Sequence, residues 1–425
     1  MRVLFTVWPM TAHLYPTIPL AWALQGAGHE VCVASHPALS GAITAAGLTA
    51  VPLGGEDSMP ALSSVGDFML DQQERDLLAK ALDIDPADKH AWHMFSYYTL
   101  ASLRIFHTEG VPAGAPAPGA DRLVEFAKDW RPDLVLWDLW PAAAVAARVS
   151  GAAHARLLWG PDYCGWARNR FLERGGRDGT GIEDPLVEVV RPVAERYGVE
   201  VDDELLLGQW TVDPTPAPLR LPTRTRVVPV RRVPYTGAAV VPDWLYPRPE
   251  RPRVALSLGV SGRMFQNDAA LISDMLEMVA ELDVEVVATL NDVQLAGQRV
   301  PANVRTIDYL PLNQLLPTCS AIVHHGGGGT LAAAVAQRVP QLILEEEGVE
   351  AAAYASYLTG HGAGLTLNPR EQSVPQMRER LVRVLEEPAF RRGTEALHAD
   401  WLAMPSPNDV VPVLERLTAR HQRRG

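Results

Sequence analysis

At 425 residues, with 47% hydrophobic and 21% charged side chains, the chain has the composition of an ordinary globular protein and exceeds the length of one core, which implies two domains of about 200 residues. Its 38 basic and 50 acidic side chains leave a net charge of -12, which speaks against nucleic acid or an anionic membrane as the main partner, so an anionic ligand needs a local site. Cys32, Cys164 and Cys319 are too few and too far apart for a disulfide framework or a CxxC metal site, and point to a reducing cytoplasm.

The N-terminal MRVLFTVWPM lacks the small-residue cleavage site of a signal peptide and reads as a buried strand over Val3 to Val7. A loop through His13 follows, then IPLAWALQGAGH with helical spacing and EVCVAS as a second strand, which makes a βαβ unit. Between this unit and the next, the segment Asp85 to His107 sets Tyr97, Tyr98, Leu100, Leu103, Ile105 and Phe106 on one helical stripe. Core packing, the lining of a pocket for a large apolar substrate and a partner surface all fit it. The DID of Asp83 to Asp85 has no flanking buried strand and reads as a loop and helix cap, not a metal motif. PDLVLWD, AAAVAARVS and AHARLLW then give another strand, helix and strand. No stretch approaches the roughly 18 uncharged apolar residues of a membrane span.

From Pro234 to Pro252 five prolines without periodicity read as an inter-domain linker. After it the pattern restarts, with RVALSLG, VEVVATL, VRTI, SAIVHH and QLIL as strands and DAALISDMLEMVAEL and TLAAAVAQR as helices. The fold class is therefore α/β, two Rossmann-like doubly wound domains facing each other. The expected spans are 1–233 and 253–405, a linker at 234–252 and a closing helix in 406–425. A ligand belongs beyond the carboxyl ends of the strands.

Two stretches stand at such strand ends. In AIVHHGGGGTLAAAVAQ a strand, a glycine turn and a helix start follow one another, the arrangement in which bare backbone N–H groups and a helix dipole hold an anion, although a ligand-free turn has the same glycines. In SLGVSGR the hydroxyl of Ser261 and the guanidinium of Arg263 follow a strand in the same way. Neither carries a Walker lysine or a G-x-G-x-x-G with its distant acid, and G-V-S-G does not match a serine-hydrolase elbow.

With HHGGGGT, VPQLIL and GAGL between His324 and Leu365, the chain resembles the nucleotide-sugar-dependent glycosyltransferases of the two-Rossmann-domain, metal-independent (GT-B) type. The likeness extends to VRTIDYLPLNQLLPTCSAIVHH and AHLYPTIPLAWALQGAGHEV. The runs AAHARLLWGPD, GQWTVDP and PYTGAAVVPDWL bring it nearest to the subgroup that attaches deoxysugars to polyketide and macrolide antibiotics. The resemblance implies that His325 contacts the diphosphate, that Gly328, Gly329 and Thr330 complete the cradle, and that the base pocket lies near Tyr309, Leu310 and Pro311. His324 is expected to be a structural neighbour. Fixed N–H groups can stabilise the leaving charge without a metal. Where the family has an Asp-Gln pair for sugar hydroxyls, Glu350 falls at the acidic position and Ala351 replaces the glutamine. That departure suits a sugar with fewer hydroxyls, with a loss of activity as the competing reading. The run Glu345 to Glu347 suits an aminosugar cation or a solvated surface.

His13 matches the family's catalytic base, and Asp138 is the candidate carboxylate to orient it, with a helix N-cap as its other reading and Asp162 as a weaker alternative. The resemblance thus implies an inverting hexosyltransferase moving a deoxysugar, or an aminodeoxysugar, from a dTDP-sugar to a lipophilic polyketide-type aglycone. No metal or other cofactor is expected beside the dTDP-sugar co-substrate. It further implies a cytoplasmic protein with neither nucleic acid nor membrane as partner, and a P450-like auxiliary activator protein, for which Trp92 to Phe106 is the first place to look; a homodimer is left open. An epimerase or hydrolase of the same architecture, or an inactive scaffold, are the competing readings.

Overall fold

The computed structural model describes residues 1–55, 68–105, 118–259, 268–344 and 351–422. Contacts divide the chain into two units: Met1–Arg232 with Pro405–Gly425, and Val233–Met404.

In the first unit β1 (Arg2–Thr6), β2 (Glu30–Ser35), β3 (Thr49–Pro52), β4 (Leu134–Trp137), β5 (Ala153–Leu157), β6 (Trp210–Asp213) and β7 (Val227–Pro229) form one parallel sheet in the order β3-β2-β1-β4-β5-β6-β7. The four apolar side chains of β4 are all buried, as a central strand covered on both faces requires. The helix Ala142–Ser150 returns from β4 to β5 with a nearly unbroken buried alanine surface and ends at Gly151, whose φ of 76° suits a left-handed stop. Trp137 of β4 belongs to a core shared with Phe95, Leu100 and Trp166.

The loop expected through His13 is instead the first turn of a helix, Thr11–Gly26. Pro16 and Pro19 lie inside that helix, and it was their presence that gave the segment a loop signature. The last helix, Pro407–Gln422, belongs to this unit: Glu415 reaches His29 at 2.9 Å, and His421 meets Gln209. Among the described residues no helix is long and apolar enough to cross a membrane.

In the second unit β8 (Arg253–Ser257), β9 (Glu285–Ala288), β10 (Val304–Thr306), β11 (Ala321–His324), β12 (Gln341–Leu344) and β13 (Gly364–Leu367) pair in parallel in the order β10-β9-β8-β11-β12-β13. The proline-rich stretch read as a linker lies within this unit: Val241, Trp244 and Leu245 pack beside Leu310, Leu315 and Ile322. Each sheet reverses its winding once, between β1 and β4 and between β8 and β11, and such a reversal opens a crevice at the carboxyl ends of the two strands.

Candidate active site

In the first unit the register Thr6 to Trp137 sets the ends of β1 and β4 side by side, so the residues just past each strand meet. Asp138 follows β4 directly. Its Oδ1 accepts the backbone N–H of Trp8 at 2.9 Å and of Leu139 at 2.6 Å, and its Oδ2 lies 2.8 Å from His13 Nδ1. The rings of Trp8 and Trp159 flank the imidazole, each centroid 5.2 Å away. The two side chains are 11% and 4% exposed, so the pair is sheltered but reachable from the imidazole side. With Nδ1–H donated to the carboxylate, the lone pair stays on Nε2, the form a general base needs.

Asp138 is not the N-cap of the following helix; Pro141 holds that position. Asp162 is taken by a buried bidentate pair with Arg156, both contacts 2.6 Å, and caps the helix Tyr163–Glu173 through Gly165 N–H. Asp138 and Trp159 also belong to the wall of a cavity of about 40 Å³.

The second unit repeats the arrangement. Ser257 ends β8 opposite His324 of β11, and beyond them the His325 ring occupies the space beside Gly259. His324 is fully buried. Its Nε2 lies 2.9 Å from Gln341 Oε1 and its Nδ1 accepts Gly326 N–H at 3.1 Å, so it ties β11 to β12 and fixes the turn; burial pushes its pKa down to about 3. His325 points the other way, against the glycines. A Cβ on Gly259, whose φ is +74°, would stand 2.2 Å from His325 Cε1, and one on Gly327 2.5 Å from its Nε2. Burial lowers the His325 pKa, with the Ser257 backbone pulling in the other direction, so the ring is neutral. Its buried Nδ1 makes no full hydrogen bond among the described residues.

The helix Gly328–Ala336 starts immediately after, with Gly327 as N-cap and no side-chain cap. Its first N–H groups, at Gly328 and Gly329, lack intrahelical acceptors by helix geometry, and Thr330 is the buried third residue. A neutral imidazole, bare N–H groups and a helix dipole at one strand end can hold a diphosphate.

Leu310 turns its side chain into the core with Leu315, which leaves only its backbone for a base. Pro311 has no N–H, and its carbonyl accepts from Gln314 at 2.9 Å and Leu315 at 3.2 Å. The Tyr309 hydroxyl donates to the Thr236 carbonyl. Ser261, Arg263 and Glu350 lie outside the described residues, as does the run Glu345 to Glu347; Ala351 opens the helix Ala351–Gly360. Asp85 caps the short 3-10 turn Pro86–Asp88, and among the described residues no three His, Cys, Asp or Glu side chains gather as metal ligands. Sequence reasoning missed Trp8, Trp159, Gly259 and Gly327. For the two glycines the signal was available, a glycine two residues past a strand end and another two past the histidine.

These two sheets are those of the GT-B glycosyltransferases, and the protein is a glycosyltransferase. The chain belongs to the erythromycin biosynthesis protein CIII-like family, matching its N-terminal domain over residues 22–259 and its C-terminal domain over 273–417. It is 44% identical to the aclacinomycin-T 2-deoxy-L-fucose transferase of Streptomyces galilaeus, over 100% of this chain and 97% of that protein. It is 43% identical to the 10-deoxymethynolide desosaminyltransferase of Streptomyces venezuelae, over 100% of this chain and 98% of the relative. The solved structure of the glycosyltransferase VinC in complex with dTDP matches with a TM-score of 0.79 at 34% identity, covering 100% of both chains.

Proposed function

We propose that this protein transfers a deoxysugar, or an aminodeoxysugar, from a dTDP donor to a polyketide-type aglycone in one inverting displacement. His13 Nε2 takes the proton of the acceptor hydroxyl as its oxygen bonds to the anomeric carbon, while the bond to the diphosphate breaks and its electron pair leaves with dTDP. Asp138 orients the imidazole and stabilises its cationic form. His325, with the N–H groups of Gly328 and Gly329 and Thr330, takes the developing charge on the diphosphate. The family resemblance assigns Leu310 and Pro311 to the base, Ser261 and Arg263 to the phosphates, and Glu350 with Ala351 to the sugar.

The observation that carries this reading is the hydrogen bond between His13 Nδ1 and Asp138 Oδ2, with Asp138 pinned by two backbone N–H groups. The names of the relatives support the donor and acceptor classes, since one is named for moving 2-deoxy-L-fucose to aclacinomycin T and the other for moving desosamine to 10-deoxymethynolide. The reaction needs no metal and no cofactor beyond the donor. By the family resemblance the protein works in the cytoplasm, with a P450-like auxiliary protein as activator.

The test is product mass and anomeric configuration after incubation with dTDP-deoxysugars and either aclacinomycin T or 10-deoxymethynolide, with and without a chelator. An added sugar of inverted configuration, unaffected by chelation, is the expected result. Release of free sugar at the same rate without aglycone would make the protein a hydrolase instead.

A further inference from the structure

The cavity beside Asp138 is walled mostly by apolar side chains such as Leu103 and Val189, yet two of its residues carry buried polar atoms with no hydrogen-bond partner among the described residues: Thr99 Oγ1 and Trp137 Nε1. Thr99 is 2% exposed and Trp137 4%, so neither group is satisfied by bulk solvent. An unmet buried hydroxyl or indole N–H costs about 1–3 kcal/mol, and a fold keeps such groups where something else meets them.

The backbone accounts for the Thr99 hydroxyl. In the α-helices, Thr17, Thr44, Thr359 and Thr394 turn their hydroxyls back onto a carbonyl three or four residues earlier, at 2.7 to 3.0 Å. Thr99 ends a π-helical segment, Met94–Thr99, and its hydroxyl makes no such bond. Ser96, one turn earlier, is left without a partner in the same way. Thr418 also lacks a partner, but it lies on the C-terminal helix and not in the cavity wall.

We infer that the Thr99 hydroxyl and the Trp137 indole N–H recognise an oxygen of the acceptor, a ketone, ether or hydroxyl on its otherwise apolar body, and so select which aglycone is held next to His13. The inference rests on the reading of the first unit as the acceptor site. Trp137 can only donate, so the group that meets it must offer an acceptor, and Thr99 can donate to the same oxygen or accept from a hydroxyl. The cavity adjoins the base because Asp138 and Trp159 border both.

The full-length protein carrying Thr99→Val, Thr99→Ser or Trp137→Phe tests this with aclacinomycin T and 10-deoxymethynolide as probes. Thr99→Val keeps the shape and removes the hydroxyl, so the acceptor KM rises about tenfold, kcat stays within about twofold and dTDP affinity is unchanged. Thr99→Ser restores the KM. Because the lost hydroxyl was unsatisfied, the melting temperature of acceptor-free Thr99→Val rises. A hydroxyl with a merely structural role predicts the reverse, a fall in melting temperature. An acceptor KM unchanged in both Thr99→Val and Trp137→Phe overturns the inference, as does a lowered melting temperature accompanying a raised KM. If the unaltered protein binds dTDP but neither probe quenches its tryptophan fluorescence, the acceptor reading itself falls, and the inference with it.

Discussion

His13 Nδ1 stands 2.8 Å from Asp138 Oδ2, and the other oxygen of Asp138 accepts the N–H groups of Trp8 and Leu139. The carboxylate is thus fixed by backbone from two strand ends before it touches the imidazole. In Asp138→Asn the amide oxygen can keep both backbone bonds, while its NH₂ faces Nδ1 and forces the proton onto Nε2. Turnover should fall by at least about 100-fold with dTDP affinity unchanged in calorimetry. His13→Ala should remove most transfer and also leave dTDP binding intact; turnover at the original rate would exclude His13 as base.

Gly259 and Gly327 leave the space that the His325 ring fills. Gly259→Ala adds a Cβ inside contact distance and strains a φ of +74°, so the ring must move. The dTDP dissociation constant should rise by roughly tenfold or more, with circular dichroism unchanged. Gly360→Ala, in the same unit, is the control, since a Cβ there meets nothing within 4 Å; equal losses in both variants would detach the effect from His325.

His154 and His324 are both fully buried, and burial is the main cause that lowers each from 6.5 to about 3. Both rings are neutral in the folded protein and take a proton on unfolding below pH 6.5. Stability therefore declines as pH falls from 6.5 toward 3, by up to roughly 1.4 kcal/mol per pH unit for each ring. Urea unfolding at several pH values should show this slope, and His154→Leu should lower it. An unchanged slope in His154→Leu would mean that the ring is already charged in the fold.

Arg156 and Asp162, 3% and 4% exposed, form a bidentate pair within the first unit. Asp162→Asn strands a buried guanidinium and should cost about 3–5 kcal/mol in denaturant unfolding, whereas replacing both by apolar residues of similar volume should recover most of it. A loss below about 1 kcal/mol would mark the pair as solvated, as surface pairs are.

The glycine turn after β11 was legible because three signals agree there: an apolar run for β11, glycines at the turn and an alanine-rich helix after it. Asp138 was legible as the residue after an unbroken apolar strand. His13 was placed in a loop because Pro16 and Pro19 mask the helix, and the tight first turn brings its ring to Asp138. The strands β3 (TAVP), β6 (WTVD) and β7 (VVP) each run into a proline or an aspartate after a few apolar residues, too short an apolar run to stand out. The π-helical turn at Met94–Thr99 has no sequence signature, since its residues suit an α-helix equally well.

The N–H of Arg231 donates to the carbonyl of Pro405 at 2.6 Å, so the chain leaves the first unit and re-enters it at one point. The half that carries the histidine turn is therefore an insert within a host that is split in sequence. During synthesis the host cannot be completed when its own sheet has emerged. Its last helix, with Glu415 on His29 and His421 on Gln209, arrives only after the whole insert, so the half that is made first is the half that is finished last.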